Sequence, residues 1–529
     1  MRNLVSLSIL LGLSTAGFAA TFTVNSTSDL SSENCTGGAC SLRGAMLAAN
    51  ATPVEDTIAF NIPQSDPGFQ TSTQHWRINI VANALPIIAA PVLIDGYTQP
   101  GAIPNTLTPA QGGLNSVLKI ELEGGLSSST VGLDLRGYPS PVASVFRGLV
   151  IHGFQETQIL LAGSTTHRVE GCYLGTNVQG DTAQFGNIGI NILGNNGSPQ
   201  IGGLLPAQRN LISGSQGSAI TGFAQEFNGV VIQGNLIGLN RAGTAALLNL
   251  NPTGPAIWFT KPLRNSLIGG DQPNARNVIS GNKFGAIRLA TNSAGTGASG
   301  TRIEGNYIGT DVSGTRAIGN GYANSPQPGI TFLGFPSNPV ELCTYSVGGT
   351  APGQANLIAY SAGAGIAVYT CTGLQVRFNR FLGNLGLAVD LVSNGATSNN
   401  INDINDADEG SNRLQNYPEL TLPVAGTNSL SYRVDTATTS ASYPITVNFY
   451  RAGCGGGSDA LLASTTISAA QAQQTLILDT SNLGNLLPLT ASAMDADGNT
   501  SEFAPMLGDE FMRAGFEDTL AALVPGTCQ

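Results

Sequence analysis

One phrase recurs along the middle of the chain and constrains its fold more than any other feature. The stretch from Asn265 to Asn320 contains SLIGG, RNVISGN and EGNYIGT, and segments on both sides repeat these phrases. Ile201 and Ile268 occupy equivalent places 67 residues apart, and Gly234 and Gly305 are 71 residues apart. Self-similarity at a near-fixed period is typical of a stacked repeat protein.

A shorter repeat inside each long unit predicts strands. Three or four apolar or β-branched residues are followed by Gly, and often by Asn, at intervals of about 18 to 28 residues. Such short runs, rich in Ile and Val, are typical of strands rather than helices. We therefore predict a parallel β-helix, in which strands of successive coils lie about 4.8 Å apart and corner asparagines hydrogen-bond from coil to coil. The recurrent asparagines are Asn210, Asn235, Asn277, Asn306, Asn356 and Asn379.

The amino-terminal segment predicts export. Residues 1–20 contain Arg2, an apolar run and small residues before Ala20, the pattern of a secretory signal peptide. No later stretch approaches the roughly 18 apolar residues of a membrane helix. We therefore expect a secreted or envelope protein without a transmembrane segment. The net charge of −11 argues against a nucleic-acid partner, because there is no basic patch to neutralise phosphates.

Seven cysteines in an exported chain predict disulfides with one thiol left over. The spacing favours Cys35 with Cys40, Cys343 with Cys371 about one coil away, and Cys454 with Cys528. Cys172 stands where other repeats have Asn, so we expect a buried free thiol there. Metal binding by cysteine is the weaker interpretation, because the chain has no Cys-x-x-Cys motif.

Changes of pattern along the chain predict its domains. A cap region covers residues 21–55, where Ser41 is a good N-cap for a short helix from about Cys40 to Asn50 that would cover the first coil. The β-helix follows over 56–398, and an Asp- and Asn-rich linker over 399–419. Strands alternating at period two predict an immunoglobulin-like β-sandwich over 420–506, and a tail of residues 507–529 ends the chain.

The segment Cys40-Ser41-Leu42-Arg43-Gly44-Ala45 resembles the C-S-L-R-E-A signature that opens many secreted bacterial right-handed parallel β-helix proteins. Gly44 departs from that signature, which has Glu, and this predicts a weaker cap helix. Further phrases resemble the same family, including VLIDGY at residues 92–97 and DADGNTSEF at residues 495–503. The resemblance implies a right-handed β-helix and export, and the family is mostly without an established activity.

One set of ionisable residues could carry acid–base chemistry. Asp95, Glu123, His152 and Glu170 each precede a glycine of the short repeat, so we predict that they stack in one column. Carboxylates beside a histidine could act on a glycan as general acid and base. The alternative is ordinary cross-strand charge pairing at solvent-facing strand ends.

A second set of carboxylates could hold calcium. Asp403, Asp406 and Asp408 lie in the linker, and hard oxygen ligands gather this way around Ca²⁺. Their spacing does not match an EF-hand, so a solvated turn is the alternative; no other cofactor is predicted.

These features favour a non-catalytic, adhesin-like protein that binds a polysaccharide or a cell-surface component. The alternative is a polysaccharide lyase or glycoside hydrolase that uses the predicted column; the motifs of pectate-lyase-like and polygalacturonase-like enzymes are missing. A structural spacer is the third hypothesis. Aromatic rings at the coils could stack on sugars or pack internally: Trp76, Tyr97, Tyr173, Trp258 and Tyr307.

Overall fold

The computed structural model describes residues 18–507, with gaps at 82, 126–129, 138–141, 164–165, 185, 195–196, 224–226, 248–253, 291–299, 323, 335–340, 392–399, 422–427, 454–456 and 484–486. Cys454 and Cys528, the tail beyond residue 507 and most of the predicted signal peptide lie outside the described residues. Among the described residues, no helix is long and apolar enough to span a lipid bilayer.

Three long sheets run the length of the repeat region, and their strands pair in parallel apart from one antiparallel pair at the start of sheet 2. Sheet 1 contains Thr21–Val24, Asp56–Phe60, Val92–Asp95, Val145–Arg147, Arg168–Glu170, Gln200–Gly202, Val231–Gln233, Leu267–Gly269, Arg302–Glu304, Ser346–Gly348 and Gln375–Arg377. Sheet 2 contains Phe69–Gln70, His75–Ile80, Ile120–Gly124, Leu149–His152, Tyr173–Leu174, Leu211–Ile212, Leu236–Ile237, Val278–Ile279, Tyr307–Ile308, Leu357–Ala359 and Arg380–Leu382. Sheet 3 contains Val131–Asp134, Thr157–Leu161, Ile188–Ile192, Ile220–Gly222, Ile257–Phe259, Ile287–Ala290, Ile330–Leu333, Ile366–Tyr369 and Val389–Asp390.

The register of these strands explains the repeat. Ile201 lies opposite Ile232, and Ile232 lies opposite Ile268, so equivalent residues of successive coils stack inside one continuous apolar core. Each fully buried Ile or Val side chain contributes roughly 1.5–3 kcal/mol. The predicted parallel β-helix is confirmed. Two short parallel pairs, Phe227–Asn228 with Leu263–Arg264 and Glu341–Leu342 with Cys371–Thr372, extend the corners.

The recurrent asparagines form the predicted ladder. The Nδ2 of each residue donates to the Oδ1 of its counterpart in the next coil at 2.9–3.0 Å. The ladder begins where the backbone N–H of Cys172 donates to Asn210, and it ends at Asn379. All of its amides are buried and also donate to a backbone carbonyl, such as Ile232 O beside Asn277. The ladder thus satisfies polar backbone groups that the tight corner would leave buried and unpaired.

The α-helix Leu42–Ala49 covers the first coil, as the sequence predicts, and Ser41 Oγ accepts the backbone N–H of Gly44 at its amino end. Gly44 is buried against the chain that passes beneath it. A Cβ at this position would overlap the carbonyl oxygen of Glu33, so glycine is required by the close approach of the two backbones.

Two of the predicted disulfides are present among the described residues. Cys35 is bonded to Cys40 beside the cap helix, and Cys343 is bonded to Cys371 on the neighbouring coil. Cys172 is a buried free thiol, as expected, and burial raises its pKa to about 12. This thiol is therefore unreactive at neutral pH.

Two antiparallel sheets at the carboxyl end form the predicted sandwich. One contains Glu419–Thr421, Ser429–Arg433 and Leu476–Asp479, and the other Ser458–Ile467, Ile445–Ala452 and Leu489–Met494. Its own core includes Leu430, Val447 and Phe449. Short 3₁₀ helices connect other elements: Gly96–Thr98, Pro109–Gln111, Pro206–Gln208, Pro273–Ala275, Ser411–Leu414 and Ala469–Gln471.

The sandwich packs on the last coil through a buried junction. The ring of Phe503 contacts Phe381 and Tyr450, and the carboxylate of Glu502 accepts the backbone N–H groups of Leu391 and Asn400, each at 3.0 Å. Burial raises the pKa of Glu502 to about 7 in spite of these hydrogen bonds, and nearby Asp390 adds to the rise. The ionised carboxylate therefore destabilises the junction.

Glu502→Gln tests this electrostatic cost. The pKa of Glu502 in the folded protein lies above its value in the unfolded chain. The free energy of unfolding is therefore not reduced by Glu502 below about pH 4, and it falls as the pH rises towards 7 and the buried carboxyl ionises. We expect the variant to gain about 2 kcal/mol relative to wild type between pH 5 and pH 8, measured by denaturant unfolding at both values. Exposed Glu419→Gln is the control. An equal wild-type–variant difference at both pH values would contradict the assignment.

Candidate functional site

The four predicted catalytic residues lie on two different sheets. Asp95 and Glu170 belong to sheet 1, where Arg147 lies in register between them. Glu123 and His152 lie opposite each other in sheet 2. The prediction of a single column is therefore wrong, because coils of unequal length place equivalent glycines after strands of different sheets.

The sheet 1 pair is engaged in ion pairs. Arg147 Nη2 lies 2.7 Å from Asp95 Oδ2, and Arg168 Nη1 lies 3.3 Å from Glu170 Oε1. Hydrogen bonding to Asp95 raises the pKa of Arg147 despite its partial burial. Gln208 Nε2 also donates to Glu170. The Asp95–Arg147 pair is thus a cross-strand ion pair, while Arg168 and Glu170 pair within one strand.

Next to Glu123 and His152 on sheet 2 lies the carboxylate of Glu121, which the sequence analysis did not identify. Glu121 is buried and accepts hydrogen bonds from His75 Nε2 at 2.8 Å, His152 Nε2 at 2.9 Å and Arg77 Nε at 2.6 Å. Burial alone would raise the pKa of Glu121, but these three donors lower it well below its usual range. Glu123 lies at the rim, 3.4 Å from Arg77. Glu121 and Glu123 alternate in the sequence IELEG, and this signal could have placed both on the outer face.

Catalysis by these residues stays a prediction. Asp95, His152 and Glu170 are each less than 10% exposed, and each contacts a charged or polar partner that fixes it. New reducing ends or unsaturated products formed from polysaccharides, and abolished in His152→Ala and Glu170→Ala, would establish it.

The outer face of sheet 2 is occupied by apolar packing. Val150, Tyr173, Leu211, Leu236 and Val278 point outward in successive coils and pack with Leu114 and Leu118 of a covering loop. These side chains are buried, so this face offers little surface to a large ligand.

The outer face of sheet 3 has a different character. Residues in register there alternate with the core residues and form one row across seven strands: Asn191, Thr221, Trp258, Arg288, Thr331, Ala367 and Asp390. Neighbouring members of such a row lie about 4.8 Å apart. Asn191, Thr221, Thr331 and Ala367 are buried, and the Thr221 hydroxyl donates to Asn191 Oδ1. The groups of this row that a ligand can reach are therefore the partly exposed side chains of Trp258, Arg288 and Asp390.

Trp258, the third member of this row, packs against the ring of Phe223, which follows the preceding strand. Phe223 and Trp258 lie with centroids 5.1 Å apart and ring planes at 84°. Phe223 is 38% exposed and Trp258 is partly exposed. A flat apolar ring at the surface is a platform on which the C–H face of a pyranose can stack, and burying it removes apolar area from water.

The other aromatic candidates have internal partners. Trp76 is buried against Phe69, and Tyr173 is buried with its hydroxyl 2.9 Å from Ser116 Oγ. The hydroxyl of Tyr97 donates to Gly171 O, and the guanidinium of Arg276 covers the ring of Tyr307. Of the five rings considered from sequence, Tyr97, Trp258 and Tyr307 are partly exposed, and Trp258 is the one that lies beside Arg288 on the outer face of sheet 3.

The three linker carboxylates come together as the calcium prediction requires. One oxygen each of Asp403, Asp406 and Asp408 lies within 4.8 Å of the others. Burial, with repulsion from the other two carboxylates, raises the pKa of Asp406 to about 7, although Thr436 and the backbone of Asn416 donate to it. The carboxylate oxygens fit the hard-ligand chemistry of Ca²⁺, and binding would displace the proton that Asp406 holds.

Calcium is expected to raise the melting temperature by about 2 °C or more at pH 8 and by less at pH 5, since protons compete for Asp406. Asp408 is exposed, so Asp408→Asn should remove the shift without unfolding the linker. Asp479 is exposed in the sandwich, and the control variant Asp479→Asn should keep the calcium-induced rise in melting temperature. Equal melting temperatures with Ca²⁺ and with chelator at pH 8 would show that the cluster is only a solvated turn.

Comparison with models of protein families, and with curated proteins, gave no match to this chain. The resemblance to secreted bacterial β-helix proteins therefore depends on the quoted motifs and on the shared architecture.

Proposed function

We propose that the protein is an exported, non-catalytic glycan-binding module whose sheet 3 lies along a polysaccharide chain. The observation that carries the proposal is the edge-to-face pair of Phe223 and Trp258, an exposed ring and a partly exposed ring beside Arg288. The outward residues of the other two sheets are used in apolar packing and in ion pairs. On sheet 3, Trp258 and Arg288 are partly exposed on neighbouring strands, and these two side chains are the ones we expect a sugar polymer to contact.

Export is supported by two kinds of observation. Disulfides persist in oxidising compartments, and the chain carries two among its described residues. The signal-peptide pattern of residues 1–20 points the same way. A stiff stack of coils with a sandwich at its end suits an adhesin-like role at a cell surface.

Trp258→Ala is the direct test of the binding face. We expect binding to an immobilised polysaccharide panel to weaken about tenfold, since a sugar that covers the ring removes apolar area from water at about 25 cal/mol per Å². The measurement is affinity electrophoresis or co-sedimentation of the mature protein. Ile477→Ala removes a side chain that is 70% exposed on the sandwich and is the matched control. Unchanged retention of Trp258→Ala, or loss only in Ile477→Ala, would place binding elsewhere.

A further inference from the structure

Arg288 is the one cation in the outward row of sheet 3. Its strand, Ile287–Ala290, places it opposite Trp258 on one side and Thr331 on the other. The alternation of IRLA turns Ile287 and Leu289 into the core and Arg288 outward. A ligand that stacks on Trp258 therefore reaches the Arg288 side chain about one strand spacing away.

The guanidinium of Arg288 is incompletely satisfied. Its Nη2 donates to Gln327 Oε1 at 3.2 Å, while its Nε is buried without a hydrogen-bond partner. Within the part of the chain that the structure describes, no carboxylate pairs with it. Burial lowers the pKa of Arg288, against a small opposing effect of Tyr369. The charged group has therefore lost water without gaining a counter-charge, which costs free energy.

Two outward arginines of sheet 1 show the contrast, although Arg377 of the same sheet has a buried Nε like that of Arg288. Arg147 has Asp95 at 2.7 Å and Arg302 has Glu304 at 3.4 Å. In the row of Arg288 the nearest acidic residue in register is Asp390, three strands further along. At about 4.8 Å per strand this distance is roughly 14 Å, too far for an ion pair. A partly buried arginine without an ion-pair partner, beside a partly exposed ring, can accommodate an external carboxylate.

We infer that Arg288 binds the carboxylate of a hexuronic-acid residue whose ring stacks on Trp258, so that the ligand is a uronate-containing polysaccharide. This inference rests on the proposed function and names its substrate class. The planar guanidinium can donate two parallel hydrogen bonds to a carboxylate through its terminal nitrogens, which a neutral sugar cannot match. The net charge of −11 does not prevent this contact, since distant charges are screened beyond about 8 Å at physiological salt.

Paired polymers test the inference. Mature protein is titrated with polygalacturonate and alginate, and with each polymer after reduction of its carboxyl groups to alcohols. Wild type should bind at least one native uronan about tenfold or more tighter than its reduced form. Arg288→Gln should bring that ratio close to one while binding to the reduced polymer remains. Arg288→Lys should give an intermediate ratio, and Arg302→Gln, an exposed arginine of sheet 1, should leave the ratio unchanged.

The outcomes separate the two claims. Wild type that binds native and reduced polymers equally, or a preference that survives in Arg288→Gln, overturns uronate recognition and leaves glycan binding intact. If Arg288→Gln loses binding to both the native and the reduced polymer, with a melting temperature equal to that of wild type, uronate recognition is also overturned. Arg288 would then contribute to the binding of any sugar. Wild type that binds none of these polymers or the wider polysaccharide panel overturns the proposed function and the inference with it.

Discussion

Asn277→Ala is expected to lower the free energy of unfolding by about 3–5 kcal/mol, because it breaks the asparagine ladder in the middle. The Asn277 amide donates to Ile232 O and to Asn306 Oδ1, and it accepts from the backbone and side chain of Asn235. All of these groups are buried. Truncation leaves several polar atoms without partners or water, and each costs about 1–3 kcal/mol before relaxation.

Denaturant unfolding of Asn277→Ala beside Asn240→Ala measures this effect. Asn240 Oδ1 accepts the backbone N–H groups of Thr244 and Ala245 in an exposed turn, so its loss should cost about 1 kcal/mol or less. Equal effects of the two substitutions would show that the ladder contributes no more than an ordinary turn.

Glu121→Gln is expected to destabilise the protein by about 3 kcal/mol at neutral pH, because it places an amide N–H₂ among three donors. His75, His152 and Arg77 all donate to the carboxylate, and glutamine keeps only one of its two acceptor oxygens. The folded pKa of Glu121 lies below its unfolded value. Its contribution is therefore fully present above about pH 4 and is lost as pH falls below that value, so the wild-type advantage over the variant should shrink in acid.

Glu123→Gln provides the matched control two residues away. This carboxylate is 36% exposed and lies 3.4 Å from Arg77, so its removal should change stability by less than about 1 kcal/mol. Unfolding curves at pH 3, 5 and 7 compare the two variants. A similar small cost for both, independent of pH, would contradict the role given to Glu121.

Features that depend on neighbouring residues could be predicted from the sequence. Ser41 predicted the start of the cap helix, and the recurring Asn predicted the ladder, since both follow from local hydrogen bonding repeated at each coil. The pairing of Cys343 with Cys371 followed from the length of one coil. Each of these signals is contained within about one repeat.

Features that depend on the number of residues between strands could not be predicted from the sequence. A glycine after an apolar run ends a strand, but the sequence does not show which of three sheets that strand joins. Asp95 and His152 were therefore assigned to one column although they lie on different sheets. Contact partners are equally remote, since Tyr97 meets Gly171 across 74 residues and Tyr173 meets Ser116 across 57. Only the folded chain shows that Trp258 packs on Phe223 and stays partly exposed beside Arg288.

The fluorescence of Trp258 tests the central claim most directly. The chain has two tryptophans, and Trp76→Phe leaves Trp258 as the only one. Titration of this variant with the polysaccharide that retains the protein should change the emission of Trp258 in a saturable way, with the same midpoint as retention, because a sugar that stacks on the ring displaces its water. Saturable retention with an unchanged Trp258 spectrum would contradict the account and place the glycan on another face.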